Sequence, residues 1–338
     1  MTRRAGIIGY GLAGRVFHAP LIDAEPGLEL AAIVTSDPGR AGEASLRYPQ
    51  ARIVPNVDEL LEEHLDLIVV AGPTPRHVEL AESAIDAGIA VVVDKPLAVH
   101  AEDAERLVER AESRGVPLTV FQNRRFDGDF LTVEKLIREG RLGEVWRFES
   151  RFEWISSRPR PEWKVGTTGA EGGGVAYDLG SHLVDQAIRL FGPVADVYGE
   201  LDVRRHGGAN DDDAFIALTH TSGVRSHLGM ASLVAQRGFR FRVLGRESAY
   251  TKWGLDPQEG QLARGMSPLD GDYGITAAGE DGRIGHDGET ETLPTERGDY
   301  RAFYRGVAAA VDGTGPMPVN PRDAIEPIRI IERLQAQQ

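Results

Sequence analysis

Several short stretches of this sequence carry residues whose types and spacing suit chemistry. Asp178, His182 and Asp185 lie within GGGVAYDLGSHLVDQAIRLFG, residues 172–192, at i, i+4 and i+7. On a helix that spacing places them on one face. An imidazole titrates near neutral pH, and a carboxylate one turn away orients it or raises its basicity, which suits a general acid–base. A purely structural Asp178–His182 pair on a buried helix fits the same spacing. Asp94-Lys95-Pro96 follows the apolar run VVV. A lysine at the carboxyl end of a parallel strand points toward the ligand crevice, where its ammonium can steady developing alkoxide charge. The alternative is a surface lysine before a loop proline. GIIGYGLAG contains Gly9-x-Gly11-x-x-Gly14, the dinucleotide pattern. With 40 glycines among 338 residues, the match needs its context to mean anything.

That context is supplied by the elements around it. RAGIIG is a short apolar strand, and LAGRVFHAPLI after the glycines reads as a helix. LELAAIVTS, DLIVVAGP, IAVVVDKP and VPLTVFQ are further strands, separated by helical stretches that stop at Gly88 and Gly115. Thr74-Pro75 reads as an N-cap and first helical residue. Near-continuous Val/Ile runs indicate strands buried on both faces, hence a parallel sheet between helices. The glycines then fall between first strand and first helix. There the first permits the turn, the second admits the pyrophosphate and the third lets helix and strand pack. Leu12 and Ala13 belong to this cofactor-binding turn. Pro73, Thr74, His77 and Asp94, near the carboxyl ends of later strands, are assigned to the cofactor side with Lys95. The second strand ends in VTSDPGR. Ser36 and Arg40 suit the 2′-phosphate of NADP; Asp37 suits the ribose hydroxyl of NAD or caps the next helix. The balance leans to NADP.

After Gln122 the pattern changes to EVWRFESRFEW, in which apolar and charged residues alternate. DVYGELDVRR, DDAFIALTH, VRSHLGM and FRFRVLG continue as short strands. This predicts an antiparallel sheet with one packed face, whose open face a second subunit could cover. The expected division is a Rossmann domain over 1–122 and an α+β domain over 123–338. A late helix at 321–336 is expected to pack back on the first domain. GGANDDD reads as a solvated acidic loop.

Composition narrows the function. Hydrophobic content of 41% and charged content of 27% are ordinary for a globular protein. A formal net charge of −14 argues against nucleic acid as a partner. The absence of Cys excludes disulfides, thiolate metal sites and a cysteine nucleophile. No Gly-Lys-[Ser/Thr], HExxH or G-x-S-x-G occurs, so a P-loop, that zinc motif and a serine elbow are not supported, and no metal is expected. No run approaches the length of a membrane span and no signal sequence is recognised, so a cytoplasmic location is expected.

GYGLAGRVFHAPLI, DKP and GGGVAYDLGSHLVDQ together resemble the Gfo/Idh/MocA family of glucose–fructose oxidoreductases and inositol dehydrogenases. FQNRRFDGDFLT, YDLGSHLVDQ and GRESAYTKWGLDPQEGQL are similar to its NADP-dependent scyllo-inositol dehydrogenase-like branch. Asp94 stands where the family usually has Glu. The resemblance implies a Rossmann domain followed by an α/β domain with a large, mostly antiparallel sheet. It implies hydride transfer between nicotinamide C4 and a secondary alcohol carbon of a sugar or inositol-like polyol. Lys95, Asp178 and His182 are then the catalytic group. Asn123, Arg124, Trp163, Lys164 and Tyr177 lie in stretches suited to line the polyol pocket. A homodimer or homotetramer through the open sheet face fits the same picture. Two alternatives stand beside it: a redox-neutral sugar enzyme that uses NAD transiently, and a dinucleotide-binding sensor without turnover.

Overall fold

Strands buried on both faces lie side by side in the computed structural model, which describes residues 2–155 and 166–337. β1 (Arg3–Ile8), β2 (Leu28–Val34), β3 (Arg52–Val54), β4 (Leu67–Val70), β5 (Ala90–Asp94) and β6 (Leu118–Phe121) form one sheet in the order β3-β2-β1-β4-β5-β6. Every pairing in it is parallel. Such strands all end on one edge, so the glycine turn after β1 and Lys95 after β5 share the carboxyl edge of this sheet. β3, only three residues long, carries too little periodicity to be read from sequence.

The compact units divide the chain differently from a cut at residue 122. The first unit comprises Met1–Phe126, Gln258–Tyr273 and Asp299–Ile325; the second comprises Asp127–Pro257, Gly274–Gly298 and Glu326–Gln338. The reason lies in the first core. Tyr273 and the helix Tyr300–Val311 bury Tyr300, Phe303, Tyr304 and Val307 in one cluster with Ile7, Leu30, Val69, Val92 and Phe121. Burying such side chains contributes roughly 1.5–3 kcal/mol each, which outweighs their distance along the chain. The late segment is split. The turn Pro321–Ala324 belongs to the first unit, where Thr119 Oγ1 donates to Val319 O at 2.7 Å. Most of the helix Ile325–Gln335 belongs to the second. There Leu334 lies so close to Gly199 that a Cβ on Gly199 would meet its Cδ1 at 2.6 Å. The segment expected as one late helix at 321–336 is thus divided between the two units.

In the second unit β7 (Val145–Glu153), β8 (Val194–Asp202), β9 (Asp213–His220), β10 (Arg225–Ala231), β11 (Phe241–Gly245), β12 (Ala249–Lys252), β13 (Gly282–His286) and β14 (Glu289–Leu293) form an eight-stranded sheet. Its order is β14-β13-β12-β11-β7-β10-β9-β8. All pairings are antiparallel except β7 with β10. Alternation along β7 buries Phe148, Ser150 and Phe152. Trp146, on the same alternation, is 54% exposed at the start of the strand. The opposite face is charged: Arg147 and Arg242 both reach Glu149, and Arg151 pairs with Glu153. Under the packed face runs the helix Ser181–Phe191, which buries Leu183, Val184 and Ala187.

Candidate functional site

The glycine turn has the geometry its spacing implies. Gly9 has φ +101°, and a Cβ there would meet Ala71 O at 2.7 Å. A Cβ on Gly14 would overlap Gly9 O, whereas one on Gly11 would meet nothing within 4 Å. The fold thus requires the outer glycines, while the middle one leaves backbone open to a ligand. Leu12 is 63% exposed, and Ala13 begins a π-helical turn, Ala13–His18, rather than a regular α-helix. An open turn leading into helical N–H groups fits a pyrophosphate. After β2, Ser36, Asp37 and Arg40 are exposed. Asp37 Oδ1 accepts the Arg40 N–H at 2.8 Å and caps the helix Pro38–Arg47. The carboxylate is used by the backbone, and Arg40 lies in the first turn of that helix.

At β4 the structure departs from the sequence reading. Pro73, not Thr74, occupies the N-cap, and Thr74–Arg76 is a 3₁₀ turn without a side-chain cap. His77 is 1% exposed. Its Nδ1 lies 2.8 Å from Pro96 O and its Nε2 3.0 Å from Gly72 O. Both nitrogens of the ring are thus occupied by backbone carbonyls. Burial pushes its pKa down, against the opposing pull of the Asp94 carboxylate and the two carbonyls. Asp94 Oδ1 accepts the Lys95 N–H at 2.9 Å and stands 3.8 Å from His18 Nε2. Burial would raise this carboxyl, but His18, Lys95 and His77 outweigh it and hold Asp94 below the ordinary aspartate range. His18 is fully buried against Phe121, with Nδ1 2.6 Å from the Tyr304 hydroxyl. His18 and Tyr304 were missed in the sequence. The available signal was a lone histidine between Phe17 and Ala19 in a largely apolar stretch.

In the second unit Asp178 sits on a π-helical turn, Ala176–Gly180, that runs into the helix Ser181–Phe191. The wider i→i+5 turn changes the phase assumed from α spacing. Asp178 is exposed, while His182 and Asp185 are 4% and 3% exposed. Asp178 thus differs in exposure from the two residues that α-helical spacing places on its face. What starts this helix is Asp211, whose carboxylate accepts the Ala176 N–H at 2.8 Å. Asn210 Nδ2 donates to Thr167 O, and Asp212 accepts the N–H groups of Arg204 and Arg205. Within the run read as a solvated loop, Asn210, Asp211 and Asp212 are thus buried. Its partners include backbone groups remote in sequence, Ala176 and Thr167, and no sequence pattern marks them.

Of the residues suggested for the polyol pocket, Asn123 and Arg124 open a 3₁₀ turn after β6. Asn123 is 5% exposed, and Arg124 bonds Tyr300 and the Glu259 carboxylate. Tyr177 is 1% exposed, and burial, with Glu332 and Asp211, pushes its phenol up. Trp163 and Lys164 lie outside the described residues. Among the described residues, no three His, Asp or Glu side chains are grouped to hold a metal, and no helix is long and apolar enough to cross a membrane.

Residues 3–122 match the model of the oxidoreductase family NAD-binding Rossmann fold, and residues 134–338 match that of the family's C-terminal alpha/beta domain. The chain belongs to the Gfo/Idh/MocA oxidoreductase family. Members similar to it include an uncharacterised oxidoreductase, YdgJ, of Escherichia coli, 40% identical over 97% of this chain and 94% of that protein. The scyllo-inositol 2-dehydrogenase (NADP(+)) IolW of Bacillus subtilis is 35% identical over 98% of this chain and 92% of its own length. The putative oxidoreductase YPO2259 of Yersinia pestis, a solved structure, superposes with a TM-score of 0.90 at 38% identity, covering 99% of this chain and 94% of that one. The Gfo/Idh/MocA fold read from the motifs, and its nicotinamide cofactor, are therefore established for this chain. It is an NAD(P)-binding oxidoreductase.

Proposed function

We propose that this oxidoreductase oxidises a secondary alcohol of a cyclitol or sugar, or reduces the matching ketone, with NADP preferred over NAD. The observation that carries the reading is the placement of Lys95. It leaves β5 on the same carboxyl edge as the Gly9–Gly14 turn, the edge where an α/β sheet binds its ligands. The similarity to a scyllo-inositol dehydrogenase that uses NADP supports the substrate class.

In the oxidation, His182 takes the hydroxyl proton as the alcohol carbon becomes a carbonyl. Lys95 holds the substrate oxygen and steadies its developing negative charge. Asp178 binds a neighbouring hydroxyl or orients His182. A bound nicotinamide supplies the acceptor, at C4, for the hydrogen that leaves carbon with its electron pair. Proton and hydride thus leave one CH–OH group and the charges balance. For the cofactor, the Gly11 backbone and the helix starting at Ala13 are assigned to the pyrophosphate, and Ser36 and Arg40 to the 2′-phosphate. Self-association through the open sheet face belongs to the same reading, and light scattering measures it.

The test is absorbance at 340 nm with each coenzyme against inositols and aldoses. Turnover of at least one cyclitol or sugar, faster with NADP, is expected. Tight coenzyme binding without turnover across the panel would overturn the reading.

A further inference from the structure

We propose that His18 and His77 are positioning residues that hold the backbone on both sides of Lys95. On the N-terminal side, the Lys95 N–H is held by Asp94 Oδ1 at 2.9 Å, and that same oxygen faces His18 Nε2 at 3.8 Å. On the C-terminal side, the carbonyl of the next residue, Pro96, is met by His77 Nδ1 at 2.8 Å. Both rings are buried, so neither is available to substrate. The inference rests on the role given to Lys95 above and adds what keeps it in place.

The Tyr304 hydroxyl decides where the His18 proton sits. Tyr304 and His18 Nδ1 are 2.6 Å apart and share one hydrogen. If the ring donated to the phenol while neutral, a lone pair on Nε2 would face a carboxylate, and the fully buried phenol hydrogen would need another acceptor. If the phenol donates to Nδ1, the ring's hydrogen is on Nε2 and is aimed at Asp94. The imidazolium form also carries a hydrogen there. In every arrangement free of repulsion, then, an N–H faces the carboxylate that holds the Lys95 backbone. A distance of 3.8 Å exceeds direct hydrogen-bond length, so the coupling is electrostatic at this separation. It limits which rotamer Asp94 adopts. At the other bracket, the His77 ring is seated between Pro96 O, 2.8 Å from Nδ1, and Gly72 O, 3.0 Å from Nε2, and its contact with Pro96 holds the backbone just after Lys95.

The decisive substitutions are His18→Leu, which removes the N–H, and His18→Gln, whose amide can return a donor near Nε2. His18→Leu should lower kcat about 100-fold, the cost of misplacing a reacting group by about 1 Å. Coenzyme KM should change less than about threefold, and His18→Gln should recover most of kcat. Amide hydrogen exchange of the segment around Lys95 should accelerate in His18→Leu and return in His18→Gln, while exchange in the second unit stays unchanged. In the wild-type protein, nitrogen-15 NMR of the histidine rings, with His18 assigned by its loss in His18→Gln, should show hydrogen on Nε2. A ring proton on Nδ1 alone overturns the proposal whatever the kinetics of the variants. Equal kcat in His18→Leu and wild type also overturns it, as does equal impairment of both variants with general loss of protection. The outcomes separate this proposal from the functional one. Absence of polyol turnover with exchange still following His18 removes the substrate reading and leaves the bracket standing.

Discussion

Asp211 accepts the Ala176 N–H at 2.8 Å, and its carboxylate occupies the space that a Cβ on Gly174 would need. Two distant stretches of sequence therefore fit only as a pair: a positive-φ glycine at +97° and an aspartate that caps the turn bearing Asp178. Asp211→Ala should cost about 1–2 kcal/mol, as for a lost helix cap, and Gly174→Ala about 1–3 kcal/mol from backbone strain. Urea denaturation reads both. Wild-type stability in Gly174→Ala would show that the turn relaxes instead.

Arg240 is buried between Phe152 and Phe241, its guanidinium carbon 4.1 Å and 4.0 Å from their ring centroids. It donates to Ser150 and to Gln186, and its Nε lies 3.5 Å from Asp129 Oδ2. Gln186 is on the helix that carries His182. Arg240→Ala removes the cation that offsets a buried carboxylate and should destabilise the protein by about 3–5 kcal/mol. A loss below about 1 kcal/mol would overturn that role for Arg240.

The His77 pKa is lowered by burial, which gives stability a pH dependence of defined sign. The unfolded ring binds a proton near its ordinary value of 6.5, while the folded ring resists it to lower pH. Between those values the unfolded state holds more protons, so stability rises with pH. The contribution is full above about 6.5 and is lost as pH falls toward the folded value. His220 is shifted the same way, by burial. Melting temperature should fall on acidification from pH 7.5 to about 5, with a smaller slope in His77→Gln. Identical slopes would refute the shift.

Asp37 spends its Oδ1 on the Arg40 N–H, which leaves Arg40 to decide the coenzyme. NADP should show the higher kcat/KM. Arg40→Ala should weaken NADP about tenfold, since a hydrogen bond to a charged group contributes about 1.5–3 kcal/mol, and leave NAD nearly unchanged. A clear advantage for NAD in the wild type settles the matter against this assignment.

His182→Ala should lower kcat by about 10²–10⁴, the range for a placed acid–base, with coenzyme binding nearly intact. Oxidation by the wild type should slow as pH falls, because imidazolium cannot accept a proton, and the variant should lack that limb. Lys95→Ala should also lose rate but keep the limb. If His182→Ala retains full turnover, or loses coenzyme affinity in step with rate, His182 is a core residue.

The local signals in this chain are those whose partners are close in sequence. The glycine turn is legible because Gly9 and Gly14 serve contacts with each other and with neighbouring strands. Most of the parallel sheet is legible because burial on both faces makes the centres of its longer strands apolar, and the Asp37 cap because its partner is three residues away. The family motifs carried the cofactor class for the same reason: their spacing is a local property. What stayed hidden depends on contacts between remote segments. Tyr304 reaches His18 across 286 residues, and Asp211 reaches Ala176 across 35. No periodicity records such a meeting, because each segment alone is compatible with several neighbours. Even Asp178 and His182, four residues apart, differ in exposure, and the π turn at Ala176–Gly180 is not legible from their spacing. Residue types and short-range spacing thus determined the fold class and the chemistry on offer. Only the packed structure decided which side chains face backbone, which face each other, and which buried charges each must offset.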